Sequence, residues 1–358
     1  MMIPTEFEQI DVEWMAAAIA ADGSSTLKSI RWERIAEGVG LLGRLARFHL
    51  DWDGNDSAHV PQSVIVKLPS QIPEMVEQAM MFGFYDRELN FYKNIGDRAT
   101  VRVPHIYLAE AAPEVVPFVL VMEDLASARV VDQLLGCELE DSLKVARAAA
   151  QLHAPYWGKH DELDAMSWLP AVNGPLYSAA GPLLEEIVPA FLAAWIDTLP
   201  EGSLELATRA AEGLTELQNR AATDVLTMCH YDLRLDNLLF DDHAGSVCVI
   251  DFQLMGTHRG PFDLAYFMGW SLTTEQRRAQ TVPILDAYVA ELSTLGIDVD
   301  RQWVDDVYRE SMLGVVSMAV LSGATAVVEN ERGEQLVAAL VQRAFASAFD
   351  VDAGEYLP

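Results

Sequence analysis

The chain has 358 residues, more than a single hydrophobic core organises comfortably, and its 51% apolar and 22% charged composition supplies buried interiors for two globular lobes. Acidic residues outnumber basic ones by 54 to 24, a formal net charge of −30 that argues against nucleic acid or a membrane as partner. The cysteines, Cys137, Cys229 and Cys248, form no CxxC arrangement, and the first nine residues have no secretory pattern, so a reducing, cytoplasmic setting is expected.

In chain order, residues 1–29 are expected to hold a leading helix around Val12, closed by the breaker Asp22-Gly23-Ser24-Ser25. From Ile30 onward the text changes to short strands. Ala46, Phe48, Leu50 and Trp52 alternate with Arg47, His49 and Asp51, which is the two-residue period of a strand. A second strand over 63–68, a helix over 73–94 and strands over 106–109 and 118–122 complete this part. Beyond Leu125 the periodicity is helical, over 140–156, 183–199, 204–222 and several segments after Pro261. The uncharged run 311–328 is long enough to cross a bilayer, but Ser317, Ser322, Gly323 and Thr325 dilute it, so it reads as a buried helix. A sheet-rich part over 1–125 and a helix-rich part over 126–358 define an α+β chain of two domains.

The most informative stretch is His230-Tyr231-Asp232-Leu233-Arg234-Leu235-Asp236-Asn237, followed by two short apolar runs around a Gly245 turn and then Asp251-Phe252-Gln253. The two runs form a hairpin, whose outer ends bring Asn237 and Asp251 together. An amide oxygen beside a carboxylate offers two hard ligands suited to Mg²⁺ with substrate phosphates. Asp232 remains available to take a proton from an attacking hydroxyl. Singly, Asp232, Asp236 and Asn237 would pass for loop caps and a turn former. Together, H-x-D-L-x-x-x-N and a later strand-borne D-F make the kinase catalytic-loop and metal-ligand signature.

This stretch, with Gly260-Pro261-Phe262-Asp263-Leu264-Ala265-Tyr266 after it, resembles the aminoglycoside phosphotransferase and choline kinase superfamily, small-molecule relatives of protein kinases. Its Arg-Leu-Asp-Asn tetrad and Asp251-Phe252-Gln253 look more like the broad branch that includes ecdysteroid-kinase-like proteins. The resemblance implies a two-lobed protein-kinase-like fold, with an antiparallel-sheet N-lobe and a mainly helical C-lobe. It further implies Asp232 as catalytic base, Asn237 and Asp251 as magnesium ligands, and His230 and Asp263 as supports. The implied reaction moves the γ-phosphate of ATP, with Mg²⁺, to a hydroxylated small molecule.

The first part carries a matching set. Gly38, Gly40 and Gly43 fit G-x-G-x-x-G, a pattern shared with dinucleotide-binding folds, but the residues after Gly43 read as a strand and not as the helix such folds require. Arg44 and Leu45 stand where a Walker A loop needs Lys and Ser/Thr, and a plain glycine-rich hairpin remains open. Lys67 ends the apolar run Val64-Ile65-Val66 and matches the kinase phosphate-pairing lysine, though a strand-end surface position would also suit it. By resemblance its partner is Glu88, with Glu74 and Glu77 on the same expected helix. Glu123 and Leu125 resemble the hinge whose backbone groups bind adenine.

Three departures qualify the likeness: Tyr231 replaces an arginine, Gln253 replaces a glycine, and no A-P-E segment follows Asp251. Arg234 reads either as a cation near the moving phosphoryl group or as a solvated loop residue. Trp157, Trp168 and Trp195, with Asp161, Glu162, Asp164, Glu185 and Glu186, suggest a pocket for a cationic or amphipathic acceptor, or core aromatics beside a solvated acidic face. Two other functions stay in view, a nucleotide-binding regulator without transfer activity and an NAD-dependent dehydrogenase.

Overall fold

The alternating residues of the first part form a five-stranded antiparallel sheet. The computed structural model describes residues 2–19, 26–35, 42–53, 60–326 and 330–358, so Gly38 and Gly40 of the glycine pattern lie outside the described residues. The chain divides into two compact units, the first comprising 1–99, 103–127 and 251–253, the second 100–102, 128–250 and 254–358.

In the first unit, helix α1 (Val12–Ile19) precedes strands β1 (Thr26–Ile35), β2 (Gly43–Asp53) and β3 (Ser63–Pro69), helices α2 (Pro73–Met81) and α3 (Phe84–Asn94), and strands β4 (Ile106–Ala111) and β5 (Phe118–Glu123). The strand order is β1-β2-β3-β5-β4 with every neighbour antiparallel, an arrangement incompatible with the parallel sheet of a dinucleotide fold. Alternation does what the period predicts: Ala46, Phe48 and Leu50 point into a core with Val64, Val66 and Val121, closed by Phe7 and Met15. Two boundaries differ from the sequence expectation. The first strand begins at Thr26 and not at Ile30, because Thr26 to Ile35 pairs with β2, while the breaker Asp22-Gly23-Ser24-Ser25 lies outside the described residues. The expected helix over 73–94 is broken at Gly83, whose φ of 68° is left-handed and caps two separate helices.

The second unit begins with β6 (Arg129–Val130) and helices α4 (Leu139–His153), α5 (His160–Asp164), α6 (Pro175–Ser178), α7 (Ala180–Trp195) and α8 (Ser203–Ala222). Short strands β7 (Thr227–Cys229), β8 (Leu238–Asp241), β9 (Ser246–Val249) and β10 (Gly256–His258) follow, then α9 (Pro261–Ser271), α10 (Thr274–Thr294), α11 (Arg301–Thr325) and α12 (Glu331–Asp350). Most of the uncharged run after Ser311 lies in α11, where Met312, Leu313, Val315, Val316, Ala319 and Val320 are buried. Among the described residues, 175–198 is long and apolar enough by composition to cross a bilayer. It consists of α6, α7 and a 3-10 turn, carries Glu185, Glu186 and Asp197, and packs through α7 on α8 and α11. Cys137, Cys229 and Cys248 are buried and none is in a disulfide.

Candidate active site

The β8–β9 hairpin pairs Leu238 with Val249, and the Ile250 N–H donates to the Asn237 carbonyl at 3.1 Å. Asp251 is the next residue in the chain, in the left-handed region at φ 65°. Tyr231 has the same φ of 65°. Two non-glycine residues held there store strain, and the surrounding bonds show what holds the first of these segments. Both carboxylate oxygens of the fully buried Asp263 accept backbone N–H groups of the loop, His230 at 2.7 Å and Tyr231 at 3.0 Å. Behind it, His153 Nε2 lies 3.0 Å from the same carboxylate, and the other ring nitrogen lies 2.8 Å from the Tyr288 hydroxyl. Burial works to raise the Asp263 pKa, but these bonds and the nearby imidazoles hold it below the usual carboxylate range. His230 Nε2 donates to the Ile250 carbonyl at 3.0 Å while Nδ1 accepts the Asp232 N–H at 3.2 Å, tying the loop to the end of β9. Thus His230 and Asp263 brace the loop, and His153 and Tyr288 stand behind them without any motif in the chain to mark them.

The loop's centre is Asp232. Asn237 Nδ2 donates to its Oδ2 at 2.7 Å and to its carbonyl at 2.9 Å, and the Tyr266 hydroxyl donates to Oδ1 at 3.0 Å. Arg234 Nε lies 3.0 Å from Oδ1, and Nη1 donates to Asp236 at 2.6 Å. The Asp232 carboxylate raises the Arg234 pKa against the opposing effect of burial. Arg234 is therefore not a free cation; its half-buried guanidinium lies against the Asp232 and Asp236 carboxylates. Tyr266, at the end of the Gly260–Tyr266 motif, is a further contact that motif spacing alone did not single out.

Two oxygens, one in each unit, are of the kind that bind a metal. With Nδ2 of Asn237 engaged by Asp232, its Oδ1 has no hydrogen-bond partner among the described residues. Asp251 Oδ1 is buried and likewise has none. A buried carboxylate oxygen without a donor calls for a cation, and carboxylate and amide oxygens are each hard ligands of the kind Mg²⁺ accepts.

In the first unit Lys67 and Glu88 form a buried ion pair, Nζ lying 2.7 Å from both carboxylate oxygens. Burial disfavours the ammonium, yet the Glu88 and Asp251 carboxylates outweigh it and raise the Lys67 pKa. Glu74 is exposed, as is Glu77, so α3 and not α2 supplies the partner. Gln253 donates to Glu88 at 3.1 Å, and its carbonyl accepts Arg87 Nε at 2.7 Å, so the residue in place of the expected glycine fastens its segment to α3. Phe252 stacks on Phe91 at 3.6 Å between ring centroids. At Gly43 a Cβ would come 2.9 Å from Lys67 Cε, which is why glycine stands there. The Glu123 N–H is engaged by the His105 carbonyl at 2.8 Å, whereas the backbone of Leu125 has no partner among the described residues.

The second unit contains a cavity of about 130 Å³ that the sequence did not locate. Its walls include Tyr177, Leu184, Tyr231, Phe262, Met318 and Leu321, and they are almost wholly apolar. Tyr177 and Tyr231 stack at 4.7 Å with rings 6° from parallel, so the residue before Asp232 forms one wall. None of the three tryptophans and five acidic residues expected at a pocket lines it. Trp157 meets Trp303 edge-on, Trp195 donates to the Gly323 carbonyl, and the acidic residues are solvated.

This fold, with this loop, defines the kinase-like small-molecule phosphotransferases. Residues 38–298 match the model of the ecdysteroid kinase-like family, and the chain belongs to that family. Among curated proteins none matches the chain significantly. Similar solved structures include a candidate aminoglycoside phosphotransferase of Ralstonia eutropha JMP134, at 14% identity and TM-score 0.58, covering 95% of this chain and 97% of that one. Ethanolamine kinase of Plasmodium vivax aligns at 11% identity and TM-score 0.53, covering 89% and 81%. An amicoumacin kinase in complex with AMP-PNP, Ca²⁺ and Ami aligns at 15% identity and TM-score 0.51, covering 95% and 94%. At these identities the likeness establishes the fold.

Proposed function

We propose that the protein is an ATP-dependent phosphotransferase that moves the γ-phosphoryl group to a hydroxyl of a small, largely apolar molecule. The observation that carries this reading is the Asp232 carboxylate, fixed by Asn237, Tyr266 and Arg234. Held in one orientation, Asp232 receives the acceptor proton as the hydroxyl oxygen bonds to phosphorus and the bond to the departing ADP oxygen breaks. Asn237 and Asp251 would hold Mg²⁺, which when bound neutralises phosphate charge. Lys67, kept charged by its carboxylate neighbours, pairs with phosphate oxygens, and Leu125 offers backbone groups to the base. The amicoumacin kinase complex, with its nucleotide analogue and divalent ion, supports this assignment.

The acceptor follows from the cavity. An apolar enclosure beside the catalytic residue penalises a polycationic sugar and favours hydrocarbon. Lys67, Asp232, Asn237 and Asp251 are all present, which favours transfer over a purely regulatory nucleotide site. A phosphorylation screen over a hydroxyl library, read by mass spectrometry, tests the proposal: apolar alcohols gain one phosphate with MgATP and Asp232→Asn abolishes the product. Failure of every acceptor, together with no thermal shift by MgATP, overturns it.

A further inference from the structure

The apolar cavity does not end in hydrocarbon. It borders a smaller cavity of about 40 Å³, and the two share Leu214, Gln218, His258, Phe262 and Gly314. Three residues that line the smaller one carry polar atoms with nothing to bond. Gln218 Oε1, Arg259 Nε and Ser311 Oγ are each buried without a hydrogen-bond partner, and all three residues line it. They are three of only eight such atoms among the described residues, so their convergence on one spot is not scatter.

Neighbouring bonds fix what each group offers. Gln218 Nε2 donates to the Tyr177 carbonyl at 2.9 Å, which leaves Oε1 as an acceptor. The Arg259 guanidinium is held by Glu310 through Nη1 at 2.7 Å, leaving Nε as a donor. His258 Nδ1 accepts the Arg259 N–H at 2.9 Å, so the neutral ring carries its proton on Nε2. Glu310 is also bonded by Arg220 at 2.7 Å, and Asp224 lies 3.8 Å from Arg259. Two guanidinium groups thus face two carboxylates, and the chamber selects neither sign of charge. A donor and an acceptor in a balanced space suit one hydroxyl, which can accept from the first and donate to the second.

We propose that this chamber receives a second, uncharged oxygen at the far end of an acceptor whose apolar body fills the larger cavity. The larger space is of the order that holds one six-carbon ring, since a cavity of roughly 150 Å³ takes up benzene. Calling the ligand an acceptor rests on the phosphotransferase reading; the binding site itself does not.

Two probes differing only at the distal end test the assignment: cyclohexylmethanol and 4-(hydroxymethyl)cyclohexanol, titrated calorimetrically into the full chain without nucleotide. The diol is expected to bind about five- to tenfold tighter, the usual worth of one or two hydrogen bonds to buried, otherwise unpaired groups. Gln218→Leu and the milder Ser311→Ala should each remove most of that preference and leave the mono-alcohol within about twofold. Equal binding of the two probes, binding of neither, or a preference that survives both substitutions overturns the proposal. A crystal of the complex with water alone in the chamber does the same. With MgATP added, diol preference without phosphorylation defeats the phosphotransferase reading and leaves the chamber standing. Phosphorylation without diol preference has the opposite meaning.

Discussion

The loop around Asp232 and the cavity beside it meet at Tyr231, yet they are organised by opposite rules. In the loop nearly every polar group has a partner and the backbone is strained at Tyr231 to place them. The cavity has a few polar groups at one end and otherwise hydrocarbon from α7, α8 and α11. The loop is built to position charge, and under the proposed function small displacements there cost rate. The cavity is built to exclude water, and changes there alter which molecule is held.

This contrast is open to attack at four points. The largest effect belongs to Asp232→Asn, which should lower turnover by about 10²–10⁴-fold with nucleotide affinity nearly unchanged, measured by single-turnover kinetics and MgATP titration. A comparable loss of nucleotide binding would show that the loop does not act on the proton. Next comes Lys67→Met, which strands Glu88 in the interior and should cost about 3–5 kcal/mol in urea denaturation, with Lys67→Met/Glu88→Leu recovering most of it. A loss under about 1 kcal/mol would mean the pair is not the buried unit described here.

His258 supplies a pH test. Burial and the Arg259 charge push its pKa down to about 3, while an unfolded histidine titrates near about 6.5. As pH falls below the unfolded value, the unfolded chain takes up a proton that the folded ring refuses, so stability drains away between those two limits. Against His258→Gln, the native protein should therefore lose an extra ~1–2 kcal/mol between pH 7.5 and pH 5, read from denaturation midpoints. Parallel curves for the two proteins would contradict a neutral buried ring. The smallest effect is expected for Met318→Ala in the cavity wall, about a fivefold rise in the acceptor KM with kcat within about twofold. A drop in kcat instead would erase the distinction between the two regions.

How far the sequence speaks follows the same division. The Asp232 loop and the β8–β9 hairpin are local in the chain, so spacing predicts the hairpin that joins Asn237 to Ile250, the residue before Asp251. Lys67 and Glu88 were paired by resemblance, since a lone charge on an apolar strand signals a partner without saying which. The break at Gly83 escaped because a single glycine inside helical periodicity is ordinarily tolerated. The cavity was invisible for a different reason. Its walls come from residues 172–321, and Gln218 and His258 look like any mid-helix polar residue and strand-end histidine until the helices assemble. Tryptophans and acidic runs drew attention because they are conspicuous in composition, which is no guide to what encloses a space.

The three buried cysteines give the folded protein an unexpected use. Burial pushes the Cys137 thiol up to about 11 and carries Cys229 well above its ordinary value, so neither offers thiolate to an alkylating reagent. Mass-tagging of these thiols would then act as a clock on transient opening, with Cys137 reporting the turn before α4 and Cys229 the strand that leads into the Asp232 loop.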